Sequence, residues 1–399
     1  MRSIGFWHGL GIAVSVAAAL VFSSVSAAQN SDFRWPRLLV VATPGTASGS
    51  FASTNGWTPI FQQHNGATAR VIPEDSELIR YQRLMVQRNV HMSSVSAAEM
   101  SFQIQGIGAY AAAEPVAQRV LWHHNDTPWG YVVAGNSPLQ SVEDIKKGGI
   151  RIAKGVWSPP MIAAVTAALP AYVGLSPEEA EKLIRYVPIS SYAENCRAVV
   201  EGKVDIAYCA TVSSVLSEME GAPGGIRWLS LDLDNKAGWE AYLEHRPMVI
   251  PTRIDLGVRS AHGAVGVTSN FLYAVPADMD VDYAYHMAKW LHTAYDEYKD
   301  THPLAARMSL EHFRNYLDRS PLPVHEGTVK YLREIGAWTE EDDAWNNQAI
   351  AKMERWLEAR RAAMEEARKA RVRIDFQNPA YLEIFAKHTQ GLEGFRSRL

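Results

Sequence analysis

The apolar residues of this chain occur in short unbroken runs that alternate with segments in which apolar positions recur at helical spacing. The run L-L-V-V-A at 38–42 is typical of a strand buried on both faces of a parallel sheet. Further runs predict strands at 69–72, 89–95, 129–134, 150–153, 186–188, 204–209, 226–230 and 266–276. Capping residues precede the helices between them, as in Asp75-Ser76-Glu77 before a helix at 78–88. This alternation predicts an α/β fold built from βαβ units.

The predicted elements fall into successive blocks. About 370 residues follow position 28, which is more than one hydrophobic core usually serves, so we expect two lobes. We predict the first part of lobe 1 at 37–132, lobe 2 at 133–265, a return to lobe 1 with a long helix at 266–338, and a long C-terminal helical extension at 339–399. The extension carries a partial apolar stripe, which Arg360 and Arg361 interrupt. Its helix either lies on the lobes or provides a surface for a partner or a homodimer.

The first 28 residues have the three parts of a secretory signal peptide. Arg2 supplies a positive charge, 4–22 is a run of apolar and small residues, and Val25-Ser26-Ala27 offers the small residues that a signal peptidase reads. The alternative is a retained membrane anchor, since the run approaches the roughly 20 residues that span a bilayer. Polar and glycine positions within the run, and the cleavage site after it, favour a cleaved signal. We therefore expect a mature protein in the periplasm, where no ATP or NADH pool drives chemistry.

Charge and cysteine content narrow the partners and the compartment further. The chain has 43 acidic residues against 39 lysines and arginines, so it lacks the basic excess that a nucleic-acid partner requires. Cys196 and Cys209 are its two cysteines. An even count in an oxidising compartment favours a disulfide over two buried thiols. A helix predicted at 192–201 that folds back on the following strand would bring the two positions together.

Four segments, in this order, resemble the TAXI family, the substrate-binding subunits of one class of TRAP transporter. They are T-P-G-T-A-S-G-S-F at 43–51, S-P-L-Q-S-V-E-D-I-K-K-G at 137–148, A-E-N-C-R-A-V-V-E-G-K-V-D-I-A-Y at 193–208 and P-L-P-V-H-E-G-T-V-K-Y-L-R-E-I-G-A-W at 321–338. The resemblance covers residues 37–338 and implies a type II-like periplasmic-binding-protein fold with a hinge and an interlobe cleft. It also implies a receptor without catalysis or cofactor, which captures a small solute such as an amino acid or oxo acid. A TRAP membrane permease driven by an ion gradient would receive that solute.

Two segments depart from the family pattern. Val156-Trp157-Ser158-Pro159-Pro160, after the first strand of lobe 2, lacks the glycine that the family places beside the serine and carries a tryptophan instead. Glu74-Asp75-Ser76 replaces the usual Thr-Gly-Ser type after the second strand. Two acids at that position would repel a carboxylate or pair with an ammonium group. Both departures therefore affect which class of ligand we expect the chain to bind.

Ligands of open α/β sheets bind beyond the carboxyl ends of the strands, where the free N–H groups of helix N-termini favour anions. Hydroxyl side chains suit these positions because they donate or accept hydrogen bonds without carrying charge. The ligand-binding candidates that this rule selects are Thr46, Ser48, Gly49, Ser50, Ser76, Ser93, Ser94, Trp157, Ser158, Ser190, Tyr192 and Thr211. For any single hydroxyl the alternative is a helix cap or a loop contact.

Arg80 and Lys154 are the candidate cations for a ligand carboxylate. Arg80 lies on the helix after the second strand, and Lys154 follows directly after a strand end. For both residues the sequence favours the alternative of a solvated surface charge.

Two other classes of function are kept as alternatives. The chain has no H-E-x-x-H zinc motif, no G-x-S-x-G elbow and no S-x-x-K motif, which disfavours a periplasmic enzyme. His123-His124 with Asp126 resembles a metal-binding set, but adjacent histidines of a strand point to opposite faces, so no metal site is predicted. A ligand-binding protein for a chemosensory or signalling receptor would use the same cleft.

Overall fold

The computed structural model describes residues 33–398 of the chain. The signal peptide predicted at 1–28 lies outside these residues. Within them the strands are β1 Leu38–Thr43, β2 Thr68–Pro73, β3 Met92–Ser96, β4 Gln118–Ala134, β5 Ile150–Gly155, β6 Ile184–Ile189, β7 Ala207–Ala210, β8 Ile226–Leu229, β9 Val249–Arg253 and β10 Val265–Pro276.

The α-helices of the same residues surround these strands. They are α1 Gly49–Asn65, α2 Glu77–Tyr81, α3 Ala97–Gln105, α4 Pro159–Ala163, α5 Leu169–Tyr172, α6 Pro177–Leu183, α7 Tyr192–Arg197, α8 Ser214–Gly221, α9 Lys236–His245, α10 Val281–Thr293, α11 Tyr295–Tyr298, α12 Leu310–Leu317, α13 Glu326–Glu334, α14 Glu340–Lys369 and α15 Pro379–Thr389. No single helix in the described part is long and apolar enough to cross a membrane, although the bent pair Pro159–Tyr172 and Pro177–Leu183 passes the same test jointly.

Two long strands join two α/β lobes. The order of the main sheet is β2-β1-β3-β10-β4-β7, with β8 also paired to β4 and β9 to β10. Lobe 1 contributes the parallel strands β2, β1 and β3, whereas lobe 2 adds β7 and β8, and the parallel pair β5-β6 forms a separate small sheet. The antiparallel strands β4 and β10 pair over Gln118–Trp129 and Val267–Pro276, and β4 continues beyond this pairing to β7 and β8, so the two strands connect the two halves. The predicted two-lobed α/β fold with a helical C-terminal extension is confirmed.

The strand predictions differ most from the structure at two places, both rich in polar residues or proline. β4 begins at Gln118, eleven residues before the predicted start at position 129, because the only apolar run of Q-R-V-L-W-H-H-N-D-T-P is V-L-W and polar residues follow it. β9, V-I-P-T-R, was not predicted at all, since its proline is unfavourable within a strand. Pro251 is tolerated because β9 pairs with β10 alone.

The disulfide lies between two elements of lobe 2. Cys196 of α7 and Cys209 of β7 are bonded, with their Cα atoms 6.0 Å apart. Both cysteines are fully buried. The bond therefore fixes α7, which begins at Tyr192, against the end of β7.

The C-terminal extension packs on lobe 1 through the apolar stripe of α14. Met353, Leu357 and Ala363 of this stripe are fully buried. Arg360, which the sequence pattern treats as an interruption, is only 1% exposed. Its Nη1 donates to the carbonyl oxygens of Gln103 and Ile104 at 2.6 and 3.2 Å, and its Nη2 donates to those of Tyr110 and Ala113 at 2.8 and 2.9 Å.

Arg360 thus places a cation at the C-terminus of α3, where the helix dipole is negative. The contact also explains Gly106, which ends α3 with φ +70°. A Cβ atom at this position would lie 2.5 Å from Nε of Arg360. The stripe with its arginine holds the extension against its own chain.

We expect Arg360→Ala to lower the free energy of unfolding by about 3 kcal/mol, because four carbonyl groups lose a buried charged donor. Urea denaturation followed by circular dichroism measures this loss. Arg355→Ala, at an exposed position of the same helix, is the matched control and should change stability by less than about 0.5 kcal/mol. Equal stabilities for the two variants would show that the extension is not held by Arg360.

Candidate functional site

A small cavity of about 60 Å³ lies between the lobes, beyond the carboxyl ends of β1, β2 and β5. Its lining from lobe 1 includes Ser48, Gly49, Ser50, Asp75, Glu77, Arg80, Ser96 and Glu99. Its lining from lobe 2 includes Trp157, Ser158, Met161, Tyr192, Tyr208, Ser213 and Arg246, and Trp129 of β4 completes the wall. The cavity is therefore bounded by strand ends and helix N-termini of both lobes, as the rule for open α/β sheets requires.

Six of the twelve predicted ligand-binding residues line this cavity: Ser48, Gly49, Ser50, Trp157, Ser158 and Tyr192. Ser48 is the N-cap of α1, where its Oγ accepts a hydrogen bond from the backbone N–H of Phe51 at 3.1 Å. Ser158 has the same role at α4. Both serines therefore cap a helix and also line the cavity. The role of helix cap and the role of ligand contact do not exclude each other at these positions.

The other six predicted residues do not line the cavity. Ser93 and Ser94 lie within β3, and Ser94 Oγ is 2.8 Å from Nδ1 of His124. Ser76 caps α2, and Thr211 Oγ1 donates to the carbonyl of Leu256 at 2.6 Å. The remaining two residues, Thr46 and Ser190, are exposed, and Ser190 donates to Oε2 of Glu194.

Two neighbours of these residues line the cavity instead. β3 ends at Ser96, so this serine caps α3 and lines the cavity in place of Ser93 and Ser94. After β7, Ser213 reaches the lining rather than Thr211, and its Oγ lies 2.6 Å from the hydroxyl of Tyr192. Both lining serines lie two residues after a predicted candidate, Ser96 after Ser94 and Ser213 after Thr211. A small error in placing the end of a strand therefore selects a hydroxyl that does not reach the cavity.

Acidic side chains of lobe 1 reach the helix N-termini of lobe 2. Asp75 accepts hydrogen bonds from the backbone N–H groups of Gly45 at 3.0 Å and of Tyr192 at 3.1 Å, the latter at the start of α7. Glu77 accepts a hydrogen bond from Ser158 Oγ at 2.5 Å. Burial raises the pKa of Glu77, against the opposing effect of Arg80, and this shifts the carboxyl group toward its neutral form. These contacts join the two lobes across the cavity.

Arg80 is buried, contrary to the expected surface charge. It is 2% exposed, and its Nη2 donates to Oε2 of Glu99 at 2.7 Å. Its Nη1 donates to the backbone carbonyls of Glu74 and Asp75 at 2.6 and 3.1 Å. Arg80 is therefore committed to an internal carboxylate and to the loop that carries Asp75 and Glu77. Lys154, the other cation candidate, is half-buried and does not line the cavity.

Arg246 is the cation that sequence reasoning missed. It follows α9, is 3% exposed and lines the cavity. Its Nε and Nη1 atoms have no hydrogen-bond partner among the described residues. The guanidinium carbon lies 5.5 Å from the ring centre of Tyr208. No carboxylate of the described chain forms an ion pair with it, although its charge, like that of Arg80, opposes the burial that raises the pKa of Glu77.

Two further donors in the lining are without partners. Nε1 of Trp129 and the hydroxyl of Tyr208 are both buried and make no hydrogen bond within the described part of the chain. The two rings stack with their centres 5.0 Å apart. A buried polar group without a partner costs free energy, so a set of unpartnered donors around one cavity favours a ligand rich in acceptor atoms.

Trp157 forms a wall of the cavity. Its ring lies against Gly155, where a Cβ atom would come within 2.5 Å of it. Gly155 is therefore required by this close approach. Trp157 stands beside Ser158, where the family pattern has a glycine. The position of its indole ring depends on another glycine, Gly155.

The histidine cluster of β4 has a structural role. His123 is fully buried, with Nε2 at 3.1 Å from Oδ1 of Asp126 and Nδ1 at 2.8 Å from the carbonyl oxygen of Arg307. Both ring nitrogens are thus engaged. No group of three or more metal-ligating side chains occurs in the region that the structure describes.

Two α/β lobes joined by two long strands, with a polar cavity between them, place this chain in the structural class of periplasmic binding proteins. The chain belongs to the NMT1-like family, whose sequence pattern matches residues 67–336. The match ends before α14, so the C-terminal extension lies outside it. Among functionally curated proteins there is no match to this chain.

Several solved structures are similar to this chain at low sequence identity. The periplasmic binding protein BugD shares 13% identity over 85% of this chain and 99% of its own, with a TM-score of 0.43. MatC (Rpa3494) from Rhodopseudomonas palustris with bound malate shares 12% over 79% of this chain and 100% of its own, with a TM-score of 0.47. R. palustris Rpa4515 with adipate shares 13% over 81% and 97%, with a TM-score of 0.45.

Proposed function

We propose that this protein is a periplasmic receptor that captures a small organic acid between its lobes. The observation that carries the proposal is Arg246, a buried guanidinium that lines the interlobe cavity without an ion-pair partner among the described residues. Buried charges in proteins are usually paired, and a carboxylate matches the planar donor set of a guanidinium. Trp129 and Tyr208 add two donors on the same wall. A ligand carboxylate would satisfy all three.

The geometry supports binding rather than turnover. The acids that line the cavity are engaged in internal contacts: Asp75 with two backbone N–H groups, Glu77 with Ser158, and Glu99 with Arg80. Glu77 contacts the hydroxyl of Ser158, but the described lining holds no histidine that could take up a serine proton as a Ser-His-acid triad requires. Ligand capture would occur by hinge closure of the lobes, which the strands β4 and β10 connect.

We further propose that the receptor delivers its solute to a TRAP-type membrane permease. The four TAXI-like segments within residues 37–338 support this assignment, as does the signal peptide predicted at 1–28 for export to the periplasm. A homodimer through the C-terminal helices would have to use the outer face of α15, where Leu382 is exposed, because the apolar stripe of α14 packs on its own chain.

The test is native mass spectrometry of the exported protein, followed by denaturation and identification of the released molecule. We expect one carboxylate, released unchanged. Its addition to the emptied protein at 100 times its Kd should stabilise the fold by about 2.7 kcal/mol, measured as a thermal shift. Conversion of the compound during incubation would instead identify an enzyme, and a preference for cations over carboxylates would remove the role assigned to Arg246.

A further inference from the structure

A second and larger cavity is lined by chain neighbours of residues that line the candidate site. It has a volume of about 730 Å³, within the range of small-molecule pockets, whereas the cavity beside Arg246 has about 60 Å³. The smaller volume holds roughly four water molecules. It therefore fits a carboxylate group and little else, and the remainder of an organic acid must lie outside it.

The same three elements form walls of both cavities. Glu99 of α3 lines the small one, and Phe102, one helical turn further on, lines the large one. In α4, Met161 lines the small cavity and Ile162 the large one. After α9 the lining of the large cavity continues directly from Arg246 to Pro247. On each of these elements, a residue that lines the large cavity therefore lies within one residue or one helical turn of a residue that lines the small one.

The lining of the large cavity is mainly apolar and comes from three parts of the chain. Its large apolar side chains are Phe102 and Ile107 from lobe 1, Val156 and Ile162 from lobe 2, and Phe376 and Phe395 from the C-terminal extension. Phe102 and Phe395 are buried, whereas Ile107, Val156 and Phe376 are 38%, 50% and 45% exposed. Side chains of this size are seldom left exposed together, and such a patch marks a binding surface.

The extension is fixed at this place by specific contacts. The backbone N–H of Ser397 donates to the carbonyl of Pro247 at 2.9 Å, directly after Arg246. Nε1 of Trp356 in α14 donates to the carbonyl of Glu393 at 2.9 Å. The tail therefore connects α14, which packs on lobe 1, to the segment that carries the candidate carboxylate-binding cation.

We propose that the large cavity is an apolar subsite for the alkyl or aryl part of an organic acid whose carboxylate is held by Arg246, with the C-terminal extension as its outer wall. This inference rests on the proposed function and specifies its substrate class as monocarboxylates with an apolar chain. The polar side chains at the cavity, among them the exposed Glu244, His245 and Arg396, surround the apolar lining with mixed charge. Because their charges are of both signs, these side chains do not favour a second charged group on the ligand.

The test is isothermal titration calorimetry of the exported protein with butanoate, hexanoate, octanoate and octanedioate. We expect the affinity of the monocarboxylates to increase about fourfold for each added methylene group. In the double variant Ile107→Asn and Val156→Asn this increase should fall by at least half, while butanoate binding stays within twofold. Leu233→Asn, 40% exposed in lobe 2 and outside the cavity, is the matched control and should retain the full increase.

The outcomes separate the subsite from the function on which it rests. If butanoate binds but chain length has no effect, or the double variant behaves like the control, the subsite is refuted and the carboxylate receptor stands. Tighter binding of octanedioate than of octanoate would also refute it, because the large cavity would then hold a second charge. If no acid of the series binds, both the subsite and the carboxylate receptor are refuted. Circular dichroism confirms that each variant is folded.

Discussion

Replacement of Arg246 by methionine is expected to weaken the binding of a carboxylate ligand by about 100-fold or more. Truncating one partner of a buried charge pair typically costs 2–5 kcal/mol of binding free energy, and each 1.4 kcal/mol is a factor of ten. Arg246 is the cation in the lining that is not already committed, since Arg80 donates to Glu99 and to two backbone carbonyls. The affinities of the variant and the parent protein for the ligand identified by mass spectrometry, measured by calorimetry, test this expectation.

The same substitution should raise the stability of the unliganded protein. Two guanidinium nitrogens of Arg246 are buried without a partner among the described residues, and methionine has a similar length without polar atoms. Removing such groups should increase the free energy of unfolding by roughly 1–3 kcal/mol. Loss of binding together with a gain in stability cannot come from a misfolded variant.

The control for this prediction is Arg253→Met. Arg253 is an exposed residue of β9, and its Nη1 donates to the carbonyl of Gly263. We expect Arg253→Met to leave both the ligand affinity and the free energy of unfolding nearly unchanged. If Arg246→Met bound the ligand as tightly as Arg253→Met, the carboxylate would have to be recognised by other groups of the cavity.

The general architecture followed from the hydrophobic pattern, because each buried strand is a short apolar run bounded by a cap or a turn. β1, β2 and β10 lie within two residues of their predicted bounds, and α14 begins one residue after the predicted start of the C-terminal extension. The cap signal at Asp75-Ser76-Glu77 marked the start of α2, since the side chain of Ser76 accepts a hydrogen bond from the backbone N–H of Ile79. These features are local, and local sequence determines them.

The candidate site was less predictable because it depends on contacts between distant segments. Half of the twelve predicted residues line the cavity, and those that do follow β1 and β5 or begin α7. Arg246 could not be placed because β9, the strand after it, has proline in a pattern that does not indicate a strand. Had β9 been recognised, Arg246 would have stood at a helix end facing the cleft.

Burial of charge was the least predictable feature. Arg80 and Arg360 carry sequence patterns typical of surface arginines, yet both are at most 2% exposed. Each is buried because it satisfies backbone carbonyls that the local chain leaves free, in the loop after β2 and at the end of α3. Nothing in the spacing of residues indicates such an arrangement, since the partners of Arg360 lie about 250 positions away in the chain.

We expect Arg80→Met to lower the free energy of unfolding by about 3–5 kcal/mol, the cost of leaving one partner of a buried ion pair alone. The Arg80–Glu99 pair has an N–O distance of 2.7 Å, and its side chains are 2% and 1% exposed. Arg197 and Glu218 form a pair of almost the same length, 2.6 Å, with side chains 39% and 60% exposed. Arg197→Met is therefore a control matched in distance and chemistry but not in burial, and it should cost less than about 1 kcal/mol.

The pH dependence distinguishes loss of the charge pair from loss of packing. Burial raises the pKa of Glu99 well above its ordinary value, and Arg80 opposes that shift. Without Arg80 the pKa of Glu99 in the folded state rises further. Folding then takes up a proton at pH values above the pKa of about 4.3 that a glutamate has in the unfolded chain. Because the folded state then binds more protons than the unfolded state, stability falls as the pH rises through that range. The loss of unfolding free energy in Arg80→Met should therefore be larger at pH 8 than at pH 5. An equal loss at both pH values would mean that it comes from packing and from the carbonyls of Glu74 and Asp75, which lose their donor.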